Sequence, residues 1–410
     1  MLLPFVNRLL HWMVTGLMTT VMSLMILSKG ASLGDLGILG ATTSIIVVVL
    51  EFPSGILSDV IGRKRIYLIS IAFSLVARIV LMQTAGFAPL LAGFALYAAS
   101  RAFSSGSIEA VYINDFIRER GKENLHKLMS AMSAGETIGL AGGALLGGFL
   151  PILWDKFRPD ANRYNSILAA QILILAVLGL MTMLTTKKDE KPAEPPQTFG
   201  AYIADVFGII RRSRVLGLML ASAIAWGFAF AGIEVYWQPR LKDILGSDTQ
   251  TWIFGIINSG YFAASLIGVL LVGIILSKRK ISHLYSLFIL RLVMAAFIFL
   301  LAVQTATVSF AFVYLTMFLF NGMANVPEGT VFNAEIPEAK RSSMLSLASL
   351  ALQLGGAAGS LLFAALVTKI FIPGIWMMAG GILAVSAFFF LAAGHYAGAI
   401  KRYDSSRSTS

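Results

Sequence analysis

Five glutamates and three arginines of this 410-residue sequence stand inside long apolar runs: Glu51, Glu109, Glu136, Glu234 and Glu328, with Arg78, Arg101 and Arg291. A charge at mid-bilayer costs at least ~2.5–3.5 kcal/mol on insertion scales, so such groups pair, face a wet cavity or mark a path for ions. Glu51, Glu109 and Glu136 each fall ~10–12 Å from one end of their run at 1.5 Å per residue, deep enough to act as proton carriers. Arg101 stands eight residues before Glu109 on what reads as one helix, ~12 Å away and near the same face. It is the candidate for tuning the proton affinity of a nearby acid. Static pairing with a neighbouring helix is the plainer alternative for each of these groups.

Polar residues between and within the runs add a second layer. GILSDVIGRKR (Gly55 to Arg65) joins two apolar runs through a tight turn. In it Gly55 permits close approach of helices, Asp59 can cap or pair at a helix end, Gly62 makes the turn, and Arg63, Lys64 and Arg65 hold the loop on one side. Gly139, Gly143 and Gly147 recur every fourth residue and leave one helix face without side chains, a surface for close helix packing. Trp12, Met22, Trp226, Glu234, Tyr236, Asn321, Asn325 and Glu328 are candidates to line a substrate cavity. His11, near the start of its run, reads as a structural hydrogen-bonder.

These groups must be positioned by membrane-spanning helices. The sequence is 57% hydrophobic and 13% charged, against roughly 45–50% and about 25% in soluble domains. Apolar runs recur near 5–28, 36–58, 66–85, 88–113, 128–150, 164–185, 215–238, 251–276, 283–304, 307–330, 342–368 and 373–395. Each is long enough to cross ~30 Å of hydrocarbon, so the expected fold is all-α with twelve crossings. The first run lacks a small-residue cleavage site and is expected to be the first helix rather than a signal peptide. The net charge of +11 is a topology signal rather than a nucleic-acid footprint. Arg8, Arg63 to Arg65, Arg118 to Lys127, the 187–214 stretch, Lys278 to Lys280 and the tail fall on one side, against Lys29, Lys156, Arg158, Arg163, Arg240, Lys242 and Lys369 on the other. By the positive-inside rule both termini are cytoplasmic. The absence of cysteine excludes disulfides, thiolate metal sites and thiol catalysis.

A Pro-, Lys- and Glu-rich linker divides the runs six and six. The expected organisation is an N-terminal six-helix bundle (1–186), a cytoplasmic linker with an interfacial helix (187–213), a C-terminal bundle (214–398) and a cytoplasmic tail (399–410). EAVYIN at Glu109 matches EGTVFN at Glu328, and the glycine-rich fifth and eleventh runs correspond, so the halves read as a repeat with substrate at their interface. There is no P-loop, no HExxH and no Gly-x-Ser-x-Gly, so enzymatic chemistry, a metal site and a bound cofactor are not expected.

GILSDVIGRKR resembles the signature of the major facilitator superfamily, G-x-L-x-D-x-x-G-R-K. The resemblance implies alternating access and a cytoplasmic gate in which Asp59 and Arg63 form a charge network with the end of the fourth span, where Asp115 is the matching residue. RAFSSGSIEA (Arg101 to Ala110) resembles the R-x-x-x-x-G-x-x-x-A element of the family's proton antiporters, and GETIGLAGGALLGG its glycine-rich antiporter signature, with Ala141 and Gly142 where Gly-Pro is usual. The family places that glycine helix against span eight. The resemblance therefore implies a monomeric carrier of the bacterial plasma membrane, surrounded by lipid and driven by the proton gradient, that exports small amphipathic or hydrophobic compounds such as antibiotics. Uptake symport of a nutrient and lipid transport on the same fold are the alternatives.

Overall fold

A computed structural model of the chain describes residues 1–105, 107–121, 123–186, 208, 211, 213–278, 281–336 and 341–407. The expected linker at 187–213 lies mostly outside the described residues, as do the side chains of 398–407. All described regular structure is α-helical, the outcome hydrocarbon imposes on an apolar chain because a helix satisfies its own backbone N–H and C=O groups.

The helices are α1 (Leu2–Ser28), α2 (Leu33–Ile61), α3 (Arg63–Gln83), α4 (Phe87–Ser104), α5 (Ser107–Arg120), α6 (Leu125–Phe157), α7 (Asn165–Thr185), α8 (Arg214–Leu245), α9 (Thr251–Lys278), α10 (His283–Ala302), α11 (Thr307–Glu335) and α12 (Arg341–Arg407). Among the described residues, ten segments are long and apolar enough to cross a membrane. Two departures from the expected spans have local causes. The run expected at 88–113 is two helices, because Ser104, Ser105, Gly106 and Ser107 are poor helix formers in succession and Ser105 adopts φ −57°, ψ 122°. A straight α12 would be ~100 Å long. Instead it breaks at Phe371 (φ 57°, ψ 175°), two residues before Pro373, which has no N–H to continue the ladder.

The chain forms two compact units, Met1–Pro196 with Trp237–Phe262, and Gln197–Tyr236 with Ala263–Ser410. In the first, α1 and α6 touch backbone to backbone. A Cβ added at Gly135, Gly139, Gly143 or Gly147 would collide with the carbonyl oxygen of Phe5, Leu9, Met13 or Leu17, and one at Gly16 with that of Leu140. Four-residue spacing on both helices keeps the same faces together over three turns. The glycine stripe itself seats α1, and the same helix also meets the eighth span, where the family resemblance placed it: a Cβ at Gly148 would fall 2.7 Å from the Gly255 Cα, and one at Gly255 3.1 Å from the Ala144 oxygen. The second unit repeats the device: Gly227 and Gly355 of α8 and α12 lie against the carbonyls of Leu352 and Ile224, and Gly359 against that of Phe228.

Gly143→Leu should lower the apparent melting temperature of the detergent-solubilised protein, corresponding to overpacking of about 1–3 kcal/mol. Gly142→Leu, where an added Cβ meets nothing within 4 Å, should leave it within error of the parent.

Candidate functional site

Three turns of α1 carry the polar centre of the first unit. Arg8 donates from Nη2 to Glu136 Oε2 of α6 at 2.7 Å, and its Nη1 lies 3.7 Å from Glu109 Oε2 of α5. The guanidinium sits 5.4 Å from the centre of the Trp12 ring, one turn further on. Arg8 is 15% exposed at its side chain, while the two carboxylates are about a third exposed, at 33% and 34%. One cation thus serves two acids from different helices, and both acids keep a face open. This arrangement can exchange partners: a proton taken by either acid frees the arginine for the other.

Beside the arginine runs a neutral relay. Tyr67 of α3 donates its O–H to Asn7 Oδ1 at 3.3 Å, and Asn7 Nδ2 donates to Thr182 Oγ1 of α7 at 3.3 Å. His11 Nδ1 lies 3.1 Å from the Tyr67 oxygen. With the tyrosine proton committed to Asn7, that contact requires hydrogen on His11 Nδ1. Asn7 and Tyr67 are buried, sealed by Val14, Ile71, Ile108, Val111, Leu175 and Leu178.

The other predicted coupling residues are arranged differently from the sequence expectation. Arg101 and Glu109 do not share a helix face, because the α4–α5 break separates them. Glu109 turns to Arg8, while Arg101, exposed at the end of α4, is the charge that acts on Glu51 of α2. The buried Oε2 of that carboxylate has no hydrogen-bond partner among the described residues. Ser54 of α2 donates to the Ala102 carbonyl at 2.9 Å, satisfying a group that the break would orphan.

At the turn of the gate motif, Gly62 (φ 99°, ψ 138°) ends α2 and α3 begins at the next residue, so a single left-handed residue makes the turn. Lys64 donates to the carbonyls of Met183, at 2.9 Å, and Thr186, capping the end of α7. Asp115 pairs with Arg118 of its own helix at 2.6 Å. The Asp59 side chain lies outside the described residues; Arg63 is the first residue of α3. Gly55 does not mark a close helix approach, since nothing lies within 4 Å of a Cβ placed there.

In the second unit, Arg291 of α10 is 1% exposed and donates to Glu328 Oε2 of α11 at 3.1 Å. Its guanidinium lies between the rings of Trp226 and Phe390, 5.1 and 5.9 Å from their centres. Arg78, its expected counterpart, is also buried but stacks on Tyr97 at 4.8 Å and pairs with no acid among the described residues. The depths differ too. Arg78 follows the start of α3 by fifteen residues, ~22 Å of helix, and Arg291 that of α10 by eight, ~12 Å. Along α11, Phe310, Tyr314, Phe318, Asn321, Asn325 and Glu328 recur at steps of three or four, one stripe that passes from aromatic to amide to acid. Trp226 and Phe230 of α8 join it, with Phe230 centred 6.2 Å from Phe318. Among the remaining cavity candidates, Met22 is half-buried, Glu234 exposed and Tyr236 fully buried. The sequence reading took Arg8 as a topology charge only, and passed over Asn7 and Tyr67. A usable signal was present: an asparagine–arginine pair one turn before His11 and Trp12 on an otherwise apolar helix.

A family model described as Major Facilitator Superfamily matches residues 5–360. The chain belongs to the major facilitator superfamily. It is a multi-pass membrane protein with a transporter fold. Similar solved structures include the nucleoside transporter NupG (TM-score 0.76, 15% identity, covering 96% of this chain and 98% of that one). A bacterial homologue of the human lysosomal transporter Spinster, in an inward-facing and occupied conformation, gives a TM-score of 0.75 at 14% identity, covering 96% of each chain. The human organic anion transporter MFSD10 gives 0.64 at 14% identity, over 95% of this chain and 98% of that one. No curated protein sequence matches the chain. At these identities the solved structures speak for the fold alone.

Arg8→Ala and Glu136→Gln should each destabilise the protein, and the double variant should lose less than the sum. A coupling energy of roughly 1–2 kcal/mol is expected from a thermal-melting double-mutant cycle.

Proposed function

We propose that this superfamily member is a proton-coupled secondary transporter of the plasma membrane, working by alternating access to export small amphipathic or hydrophobic compounds, antibiotics among them. It crosses the bilayer twelve times with both termini in the cytoplasm: ten apolar segments, of which α12 turns back at Phe371, plus α4 and α5 as one interrupted crossing. In this reading the two six-helix bundles are 1–186 and 214–398, joined by the 187–213 linker and followed by the 399–410 tail. A single copy of the chain suffices, in lipid, with the proton gradient as its energy source.

The observation that carries the reading is the sharing of Arg8 between Glu136 and Glu109. A carboxylate paired to an arginine gives up that partner when protonated, and the arginine then turns to the second acid. Each proton taken up therefore redistributes the contacts that tie α1 to α5 and α6. Glu51, with one oxygen unpartnered and Arg101 acting on it, is the second proton-accepting site. The α11 stripe supports an apolar, aromatic cargo: rings at one end supply stacking surface, while Asn321, Asn325 and the Arg291–Glu328 pair supply hydrogen-bonding groups at the other. Trp12 and Met22 of α1 are its counterparts in the first half. The basic gate at Gly55, Asp59, Gly62, Arg63 and Lys64, with Asp115, closes the cytoplasmic side.

The test is flux of ethidium in proteoliposomes under an imposed pH gradient. Transport against the direction of proton flow is expected, with Glu136→Gln reducing gradient-driven flux by about tenfold or more, within the range for loss of a proton-transfer group. Ethidium exchange without a gradient should persist in that variant. Movement with the proton flow would mark an uptake symporter. Flux that ignores the gradient and survives both Glu136→Gln and Glu51→Gln would overturn the proposal.

A further inference from the structure

Helix α1 is broken at one residue. Val21 adopts φ −137°, ψ 19° within a segment that is otherwise helical from Leu2 to Ser28. On either side of it stand Thr19 and Ser23, whose C=O and N–H an unbroken helix would join to each other, four residues apart. Here the two groups meet one side chain. Ser23 N–H donates to Gln238 Oε1 at 2.8 Å, and Gln238 Nε2 donates to the Thr19 carbonyl at 2.7 Å. The carboxamide supplies the acceptor that Ser23 needs and the donor that Thr19 needs, which places it within the rung of the helix ladder. Kinks arise where a side chain enters the i→i−4 ladder in this way.

A second carboxamide supports the first. Asn258 Nδ2 of α9 donates to the hydroxyls of Thr19 and Thr20 at 3.1 and 3.0 Å, and Thr20 hydrogen-bonds the Ala144 carbonyl of α6 at 3.1 Å. Thr251 donates to the Gly148 carbonyl at 2.6 Å, beside the Gly148–Gly255 contact. Thr20, Ser23, Gln238 and Asn258 are all at most 3% exposed. Gln238 and Asn258 both come from the 237–262 segment, which belongs to the same compact unit as α1.

We infer that Gln238 is the positioning residue of a conformational latch: its carboxamide holds α1 broken at Val21 while the 237–262 segment is docked. When the segment withdraws, Ser23 N–H and Thr19 C=O regain each other and α1 straightens. Both states satisfy the backbone pair, and neither leaves an orphaned group in apolar surroundings, where such a group is strongly disfavoured. The latch therefore has two discrete settings, the property required of an element that switches with access.

The absence of cysteine allows spin labels to be placed uniquely at Ala85→Cys and Gln250→Cys, both exposed loop positions in this unit. Electron–electron distances between them are read in liposomes without substrate or gradient, so the result stands apart from the transport reading. The parent pair should show mainly the short, docked distance. Gln238→Leu should raise the ratio of separated to docked molecules about tenfold, a response within the range for losing buried hydrogen bonds. Gln238→Glu provides the discriminating readout. A protonated carboxyl has an O–H for Thr19 and a C=O for Ser23, so this variant should dock at acidic pH and separate as the pH rises through its titration. Glu234, Arg240, Lys242, Asp243 and Asp248 on the segment and its flank, and Asp155 and Arg163 beside its tip, are present in parent and variant alike, so the parent's own pH series is the reference. Between His11 and Lys29, α1 carries no titratable residue. If Gln238→Leu does not fold, Gln238→Glu alone carries the test. Distance distributions identical to the parent in both variants at every pH would overturn the inference.

Discussion

Hydrocarbon offers no hydrogen-bond partners, so any backbone or charged group that leaves a helix ladder must be met by another part of the same chain. Several irregularities among the described residues are answered in that way. The interruption between α4 and α5 is met by Ser54 on the Ala102 carbonyl, and the break in α1 by the Gln238 carboxamide. The Arg8 charge is met by two acids and a tryptophan face, and Arg291 by Glu328 between two rings. The positions where the ladder departs from ideal are therefore also the positions where polar chemistry collects.

Helix α1 gathers most of this. Its glycine-mediated contact with α6 brings the two backbones close enough that Arg8 reaches Glu136 on the neighbouring helix. The same contact aligns Thr20 with the Ala144 carbonyl, just over three turns further along α1. Arg8 and the Thr19–Ser23 break sit eleven to fifteen residues apart on one helix, ~17–22 Å along its axis. A rigid α1–α6 pair can thus carry a charge rearrangement at one end and a helix break at the other without the two regions touching.

Much of this was legible in the residues themselves. The apolar runs located the helices, and the Gly62 turn and the four-residue glycine spacing were found where the pattern put them, because both are local consequences of backbone sterics. What stayed hidden were partnerships across sequence. Glu136 lies 128 positions from Arg8, so nothing local distinguished that arginine from a loop charge that sets topology. That the glycine stripe seats α1 was hidden for the same reason: spacing gives a smooth face but not what lies on it. The α4–α5 interruption was written locally, in three serines and a glycine, yet an apolar context made the stretch read as one continuous span. Gln238, next to a proline at the end of an apolar run, carries no local sign that it completes another helix.

In the proposed mechanism, cargo binding and protonation of the group formed by Arg8, Glu109 and Glu136 are linked. The most direct measurement is the proton count on binding, by isothermal titration of ethidium into the purified protein in buffers of different ionisation enthalpy. Linkage between the two ligands requires release of a proton, up to about one per ethidium bound, and its loss in Glu136→Gln. A binding enthalpy that does not depend on the buffer, in the parent as in the variant, would contradict it.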